Sequence, residues 1–249
     1  MDVGVRNVRE VVRLGCFRVA MQPIVSLLTG NPIGYEAFVR APPPYDRPDR
    51  LLKAAMRDGC LRELEAAITK RAVEEALCLF GVGSLKLFVN LTATTFCAGS
   101  EQCEEALKDF PADRVVIELT ESAALPHDGR VQDAALKWRA LGCRLAVDDV
   151  AAGYARLLAV GLLSPDYLKI DREVVGGMGD RAWRGVVKSM VTLAGEIGAH
   201  VIAEGIETRE QRETLMDLGV EYGQGYLLGR PVVCPDRRSD EGARVARMG

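Results

Sequence analysis

Two periodicities take turns along this chain. Short apolar runs rich in β-branched and aromatic residues occupy 17–24 and 33–39, and the turn Leu28-Thr29-Gly30-Asn31-Pro32 between them favours an antiparallel hairpin. A proline-rich loop covers 41–48, after which Leu61, Leu64, Ile68, Ala72 and Ala76 fall at helical spacing. From there strand and helix alternate. Runs at 85–90, 115–120, 144–148, 167–170 and 200–203 predict strands, and 220–222 predicts the start of a last one. Val131, Ala135, Trp138 and Leu141 mark one helical face that Gly142 ends, and Trp183, Val187, Met190, Ala194 and Ile197 mark another with Gly198 beyond it. Thr208 and Gln211 predict a capping box for a helix running to Leu218.

Repeated strand–helix units pair their strands in parallel. With about eight strand candidates in 249 residues, the predicted class is α/β, a TIM-type (β/α)8 barrel rather than an open doubly wound sheet. No Gly-x-Gly-x-x-Gly follows a strand to support a dinucleotide-binding alternative. No internal repeat, low-complexity segment or linker interrupts residues 15–233. One domain is expected over 1–249, with its core at about 8–233 and a polar tail at 234–249.

Composition narrows the chemistry. The net charge of −3 argues against a surface for nucleic-acid polymers. Seven cysteines are scattered without a Cys-x-x-Cys pair, which argues against a disulfide framework or zinc site and suits a reducing cytoplasm. Only two histidines occur, so a metal would need oxygen ligands, which favours Mg²⁺, Mn²⁺ or Ca²⁺. No signal-peptide pattern and no apolar run of membrane-spanning length is present.

The strand candidates end on polar residues. Asp148 and Asp149 close Leu145-Ala146-Val147, where like charges repel and lose water, a conflict that a pair of metal ions resolves. Glu36, Asn90, Glu118, Lys169 and Glu204 also close or interrupt short apolar runs. Taken singly, each has a structural reading: Glu36 an outward surface residue, Asn90 a turn residue, Lys169 a snorkelling side chain, Glu121 a first-turn helix carboxylate. A parallel sheet would bring the strand ends to one rim and make them a single site, suited to hydrolysis of a phosphate ester by two divalent ions.

In order along the chain, these segments resemble the EAL family of cyclic-di-GMP phosphodiesterases. QPIV at 22–25, GYEAFVR at 34–40, VNLT at 89–92, ELTE at 118–121, DD at 148–149, KID at 169–171, AEGIE at 203–207 and QGYLLGRP at 224–231 match its motifs, with Phe38 where leucine is usual. The resemblance implies a barrel with one antiparallel strand and two Mg²⁺ or Mn²⁺ ions; Ca²⁺, which prefers longer bonds and higher coordination, is expected to inhibit. It implies that Glu36, Asn90, Glu118 and Asp148 hold the first ion, and Asp148, Asp149 and Glu204 the second. Lys169 would orient the attacking water, with Asp149 and Glu204 beside it. Arg40 would contact a substrate phosphate, Gln224 would complete the polar shell, and Glu207 and Tyr226 would serve guanine or supporting contacts. Glu121 would steady the loop after Asp149. That loop would also form a homodimer interface, and a sensory or cyclase domain would often be fused in a longer parent chain.

The loop itself departs from the family. Where Phe-Gly-Thr or Phe-Gly-Ala and then Gly-Tyr are usual, this chain reads Val150-Ala151-Ala152-Gly153-Tyr154. Ala151 is expected to resist a positive φ, Val150 to anchor the loop less than phenylalanine, and turnover to be slow. The expected function is hydrolysis of cyclic-di-GMP to linear pGpG. The alternatives are a module of the same fold that binds the nucleotide or a partner protein without turnover, and a barrel enzyme acting on sugars. The last would not need Asn90 or Lys169 in these places.

Overall fold

The computed structural model describes residues 7–80, 83–98, 101–120, 129–152 and 154–233. Among these residues nine strands form one sheet: β1 (Arg18–Ser26), β2 (Pro32–Arg40), β3 (Lys86–Thr92), β4 (Val115–Thr120), β5 (Arg144–Val147), β6 (Tyr167–Ile170), β7 (His200–Ala203), β8 (Tyr222–Gly223) and β9 (Val232–Val233). Strands β2 to β8 run parallel in chain order, and β1 closes the ring by pairing antiparallel with both β8 and β2. The result is an eight-stranded barrel with one reversed strand, onto whose outer edge the short β9 adds. The expected hairpin is therefore the closure of the barrel.

Local chemistry sets the elements. Strand β4 is buried over Val115–Leu119 because helices cover its outer face and the barrel interior covers the other. Helix Arg181–Ile197 begins where the Asp180 side chain accepts from the Ala182 N–H, and it stops at Gly198, left-handed at φ +72°. The Thr208–Gln211 capping box forms as predicted and opens helix Arg209–Asp217. Behind β8, a Cβ on Gly225 would lie 2.2 Å from the Ile206 backbone, so only glycine lets these segments meet.

Several elements lie beyond the sequence reading. The proline-rich loop ends in a helix, Pro48–Arg57, with proline at its start, and Gly59 (φ +66°) separates it from helix Leu61–Phe80. Helix Val8–Leu14 is capped by Asn7 and buries Val8 and Val11 against Leu51, Leu61 and Leu64. Helices Ala93–Ala98, Glu101–Leu107, Tyr154–Leu163 and Arg172–Gly176 are too short or too evenly apolar to show a periodic stripe. Among the described residues Cys16, Cys60, Cys78, Cys97, Cys103 and Cys143 form no disulfide. Among the described residues no helix is long and apolar enough to cross a membrane. The tail 234–249 lies outside the described residues.

Candidate functional site

Period two decides which strand residues reach the barrel interior. Ile24, Phe88, Val116, Ala146, Tyr167 and Ile202 form a buried apolar layer there. Two residues further along the parallel strands, the same parity brings Asn90, Glu118, Asp148, Lys169 and Glu204 to the carboxyl end of the barrel. Glu36 of β2 lies level with Phe88 of β3, Asn90 with Glu118, and Glu118 with Ala146, the stagger of a tilted closed sheet. The four carboxylates are thus delivered to one place from β2, β4 and the ends of β5 and β7, with Asn90 from β3 and Lys169 from β6.

Lys169 is the centre of that place. Its Nζ lies 3.0 Å from Glu36 Oε2, 2.9 Å from Glu118 Oε2, 2.6 Å from Glu204 Oε1 and 3.6 Å from Asp148 Oδ1. Glu36, Glu118 and Lys169 are each almost wholly buried, so neither the surface reading of Glu36 nor the snorkelling reading of Lys169 holds. Asn90 Nδ2 donates to Glu36 Oε1 at 2.9 Å. Burial works against the Lys169 ammonium, but Asp148, Glu118, Glu204 and Glu36 outweigh it and hold the proton well above the ordinary lysine range. Burial, reinforced by Glu36, pushes the Glu118 carboxyl well up, and burial raises Glu204 to about 8 despite Lys169. Glu118 Oε1 and Gln224 Nε2 are buried without a hydrogen-bond partner among the described residues.

Asp149 extends the cluster. One oxygen each from Asp148, Asp149 and Glu204 lies within 4.8 Å of the others. Burial, then the Asp148 charge, raises the Asp149 carboxyl to about 6. The backbone agrees with the expectation that Ala151 resists a positive φ: the left-handed residue is Asp149 (+51°), and Ala151 sits in a 3-10 turn, Val150–Ala152. An alanine at 151 therefore costs no left-handed strain. Val150 is fully buried and packs in the main core, so the smaller side chain is anchored there. Glu121 and Gly153 lie outside the described residues.

A cavity of about 330 Å³ opens on the cluster, bordered on one side by Glu36, Asp148 and Glu204 and on the other by Phe38, Leu52 and Ile68. Arg40, Gln224, Tyr226 and Glu207 do not border it. The Arg40 Nη1 donates to the Val39 carbonyl at 3.0 Å, and its guanidinium lies over the Phe38 ring. Gln224 is buried beside β7, its N–H donating to the Ala203 carbonyl at 2.8 Å. Tyr226 is exposed with Arg230 stacked on it, and Glu207 is exposed, its N–H donating to Gln211 Oε1.

Two residues near the site were not singled out in the sequence. Glu65 borders the same cavity from helix Leu61–Phe80, accepting from Thr92 N at 2.9 Å and Thr92 Oγ1 at 3.1 Å. Burial raises its carboxyl to about 7. Its signal was present: it follows Leu61 by four, on the stripe that predicts the buried face. Arg156 donates to the Asp148 carbonyl from eight residues away, and no sequence pattern marks it.

A mixed eight-stranded barrel with an acid-rich mouth at its carboxyl end is the class defined by this geometry. The chain belongs to the EAL domain family, whose model matches residues 5–231. It is 30% identical over 225 residues to the bifunctional diguanylate cyclase/cyclic di-GMP phosphodiesterase MucR of Pseudomonas aeruginosa, covering 85% of this chain and 32% of that protein. A structure of the MucR phosphodiesterase in complex with c-di-GMP aligns at a TM-score of 0.81 and 28% identity, over 90% of this chain and 95% of that one. A manganese/c-di-GMP complex of Klebsiella pneumoniae BlrP1 aligns at 0.76 and 26% identity, over 88% of this chain and 56% of that one. The chain spans 30–40% of the length of the first curated relatives it matches.

Proposed function

We propose that this domain hydrolyses one phosphodiester bond of cyclic-di-GMP to give linear pGpG, using two divalent ions. The observation that carries the proposal is the convergence of Asp148, Asp149 and Glu204 oxygens within 4.8 Å, beside Glu36, Asn90 and Glu118. The residues fit a cation centre: four carboxylates share the Lys169 ammonium, and the buried Glu118 Oε1 has no donor among the described residues. Glu36, Asn90, Glu118 and Asp148 hold the first ion, and Asp148, Asp149 and Glu204 the second, with Mg²⁺ or Mn²⁺ active and Ca²⁺ inhibitory. Bound there, such ions supply Lewis-acid activation of water and neutralise phosphate charge.

The chain's own groups do the rest. Lys169 orients the attacking water at the floor of the cavity, with Asp149 and Glu204 bordering the point of attack. Arg40, two positions beyond Phe38 on β2, turns from the Val39 carbonyl to a substrate phosphate. The apolar half of the cavity receives the base, with Glu207 and Tyr226 as outer contacts and Gln224 completing the polar shell. Glu121 steadies the loop after Asp149. Pairing of two copies through that loop, and a longer parent chain with a sensory or cyclase domain acting in the cytoplasm, belong to the same reading.

Turnover of cyclic-di-GMP with Mg²⁺ or Mn²⁺, with the product identified by mass, tests it. Asp148→Asn is expected to cut the rate by at least about 100-fold, because Asp148 would be a ligand in both ion sites. Near-normal hydrolysis by that variant would overturn the two-ion assignment. Tight binding of the nucleotide by the unaltered protein without turnover would make this a binding module instead.

A further inference from the structure

We infer that Arg156 is a positioning residue that aims the paired aspartates, a role that rests on the metal-centre reading above. Asp149 is left-handed at φ +51°, a conformation that a non-glycine residue keeps only where its surroundings hold it. The peptide before it is held on both sides. Within the turn, the Asp149 N–H donates to Asp148 Oδ1 at 3.1 Å. From outside, Arg156 Nη1 donates to the Asp148 carbonyl at 2.6 Å, and Nη2 lies 3.7 Å from Asp149 Oδ2.

Arg156 sits on helix Tyr154–Leu163, so a regular element carries the clamp. Its side chain is only 12% exposed, which separates this contact from solvated surface pairs. With the peptide fixed, Asp148 and Asp149 turn toward Glu204, and their oxygens converge. Without the guanidinium the peptide is free to leave the left-handed region, and the Asp149 carboxylate swings away from the second ion's position. Charge acts in the opposite sense, since a fixed cation near the centre weakens binding of another. The clamp and the charge therefore shift metal affinity in opposite directions.

Calorimetric titration of Mn²⁺ into the unaltered protein, Arg156→Ala and Arg156→Lys separates them. In Arg156→Ala the weaker of two Mn²⁺ dissociation constants is expected to rise about tenfold, the usual scale for losing a group that orients a ligand. The tighter constant is expected to stay within about twofold. Arg156→Lys keeps a donor and is expected to raise the weaker constant less. In both, kcat falls while KM for cyclic-di-GMP holds. A weaker constant that is unchanged or tighter in both variants overturns the role of Arg156 and leaves the metal centre standing. Absence of Mn²⁺ binding in all three proteins overturns the centre itself, and this role with it.

Discussion

The barrel interior holds two layers, one step of strand alternation apart, and they obey opposite rules. The lower layer, Phe88, Val116, Ala146, Tyr167 and Ile202 with Ile24, is apolar and closed, with the Phe88 and Tyr167 rings meeting edge to face at 5.4 Å. The upper layer, on the same strands, holds Glu118, Asp148, Lys169 and Glu204. Only two residues separate them, yet one gains from leaving water and the other is opposed by it. The barrel tolerates the upper layer because the lower one is complete, and because Lys169 supplies an internal counter-charge. Conservation of shape and concentration of charge are thus divided by height in the barrel, not by segment of chain.

Lys169→Met tests the upper layer most severely. It leaves Glu36, Glu118, Asp148 and Glu204 together without their ammonium. Turnover is expected to fall at least about 100-fold, the scale of losing a group that acts on the reacting water. The metal-free protein is expected to lose about 3–5 kcal/mol, the usual effect of removing one partner from a buried ion pair. Mn²⁺ should restore most of that stability, because a divalent ion replaces the lost charge. Denaturation with and without Mn²⁺ reads both effects. A variant that is equally unstable with and without the ion would show that Lys169 is a structural pin and not part of an ion centre.

Phe88→Ala applies the same test one layer down. Phe88 is fully buried, and truncation of such a ring costs about 3–5 kcal/mol. The loss should appear in the urea midpoint, while the Mn²⁺ constants of the folded protein stay within about twofold, since effects at separate sites are close to additive. A large change in Mn²⁺ affinity would mean that the layers are mechanically coupled and the division by height is wrong.

The upper layer was more legible in the sequence than its surroundings. Val115–Thr120, Tyr167–Ile170 and His200–Ala203 read correctly as strands because each is a short apolar run flanked by turn signals. The polar residues that close or break such runs mark the rim. What hydropathy could not give was parity: Tyr167, Leu168, Lys169 and Ile170 are all buried, so nothing in the run tells which side faces the barrel. Lys169 therefore read as well as a snorkelling residue. Arg156 was beyond reach because its partner is a main-chain carbonyl, which carries no sequence identity. The left-handed torsion at Asp149 was beyond reach as well, because an aspartate carries no sequence mark of a positive φ as glycine does.

Glu65 sharpens the comparison from outside the barrel wall. It is a buried acid like those of the upper layer, but its partners are the Thr92 N–H and hydroxyl instead of an ammonium. Its folded carboxyl is raised by burial from 4.5 to about 7. Between those values the unfolded chain releases the proton while the folded protein keeps it. Rising pH then favours unfolding. The contribution is fully present below 4.5, is lost through the window up to about 7, and changes no further above it. The size is on the order of 3 kcal/mol, from the shift and the free energy per pH unit. Urea unfolding of metal-free protein across that window is expected to show stability declining with pH, and Glu65→Gln to flatten the decline. The slope that survives belongs to Glu118, Glu204 and Asp149, whose carboxyls are raised in the same direction, and bound Mn²⁺ should diminish that remainder without touching the Glu65 part. Parallel profiles for the two proteins would place the whole pH dependence in the upper layer and reduce Glu65 to a cap on the end of β3.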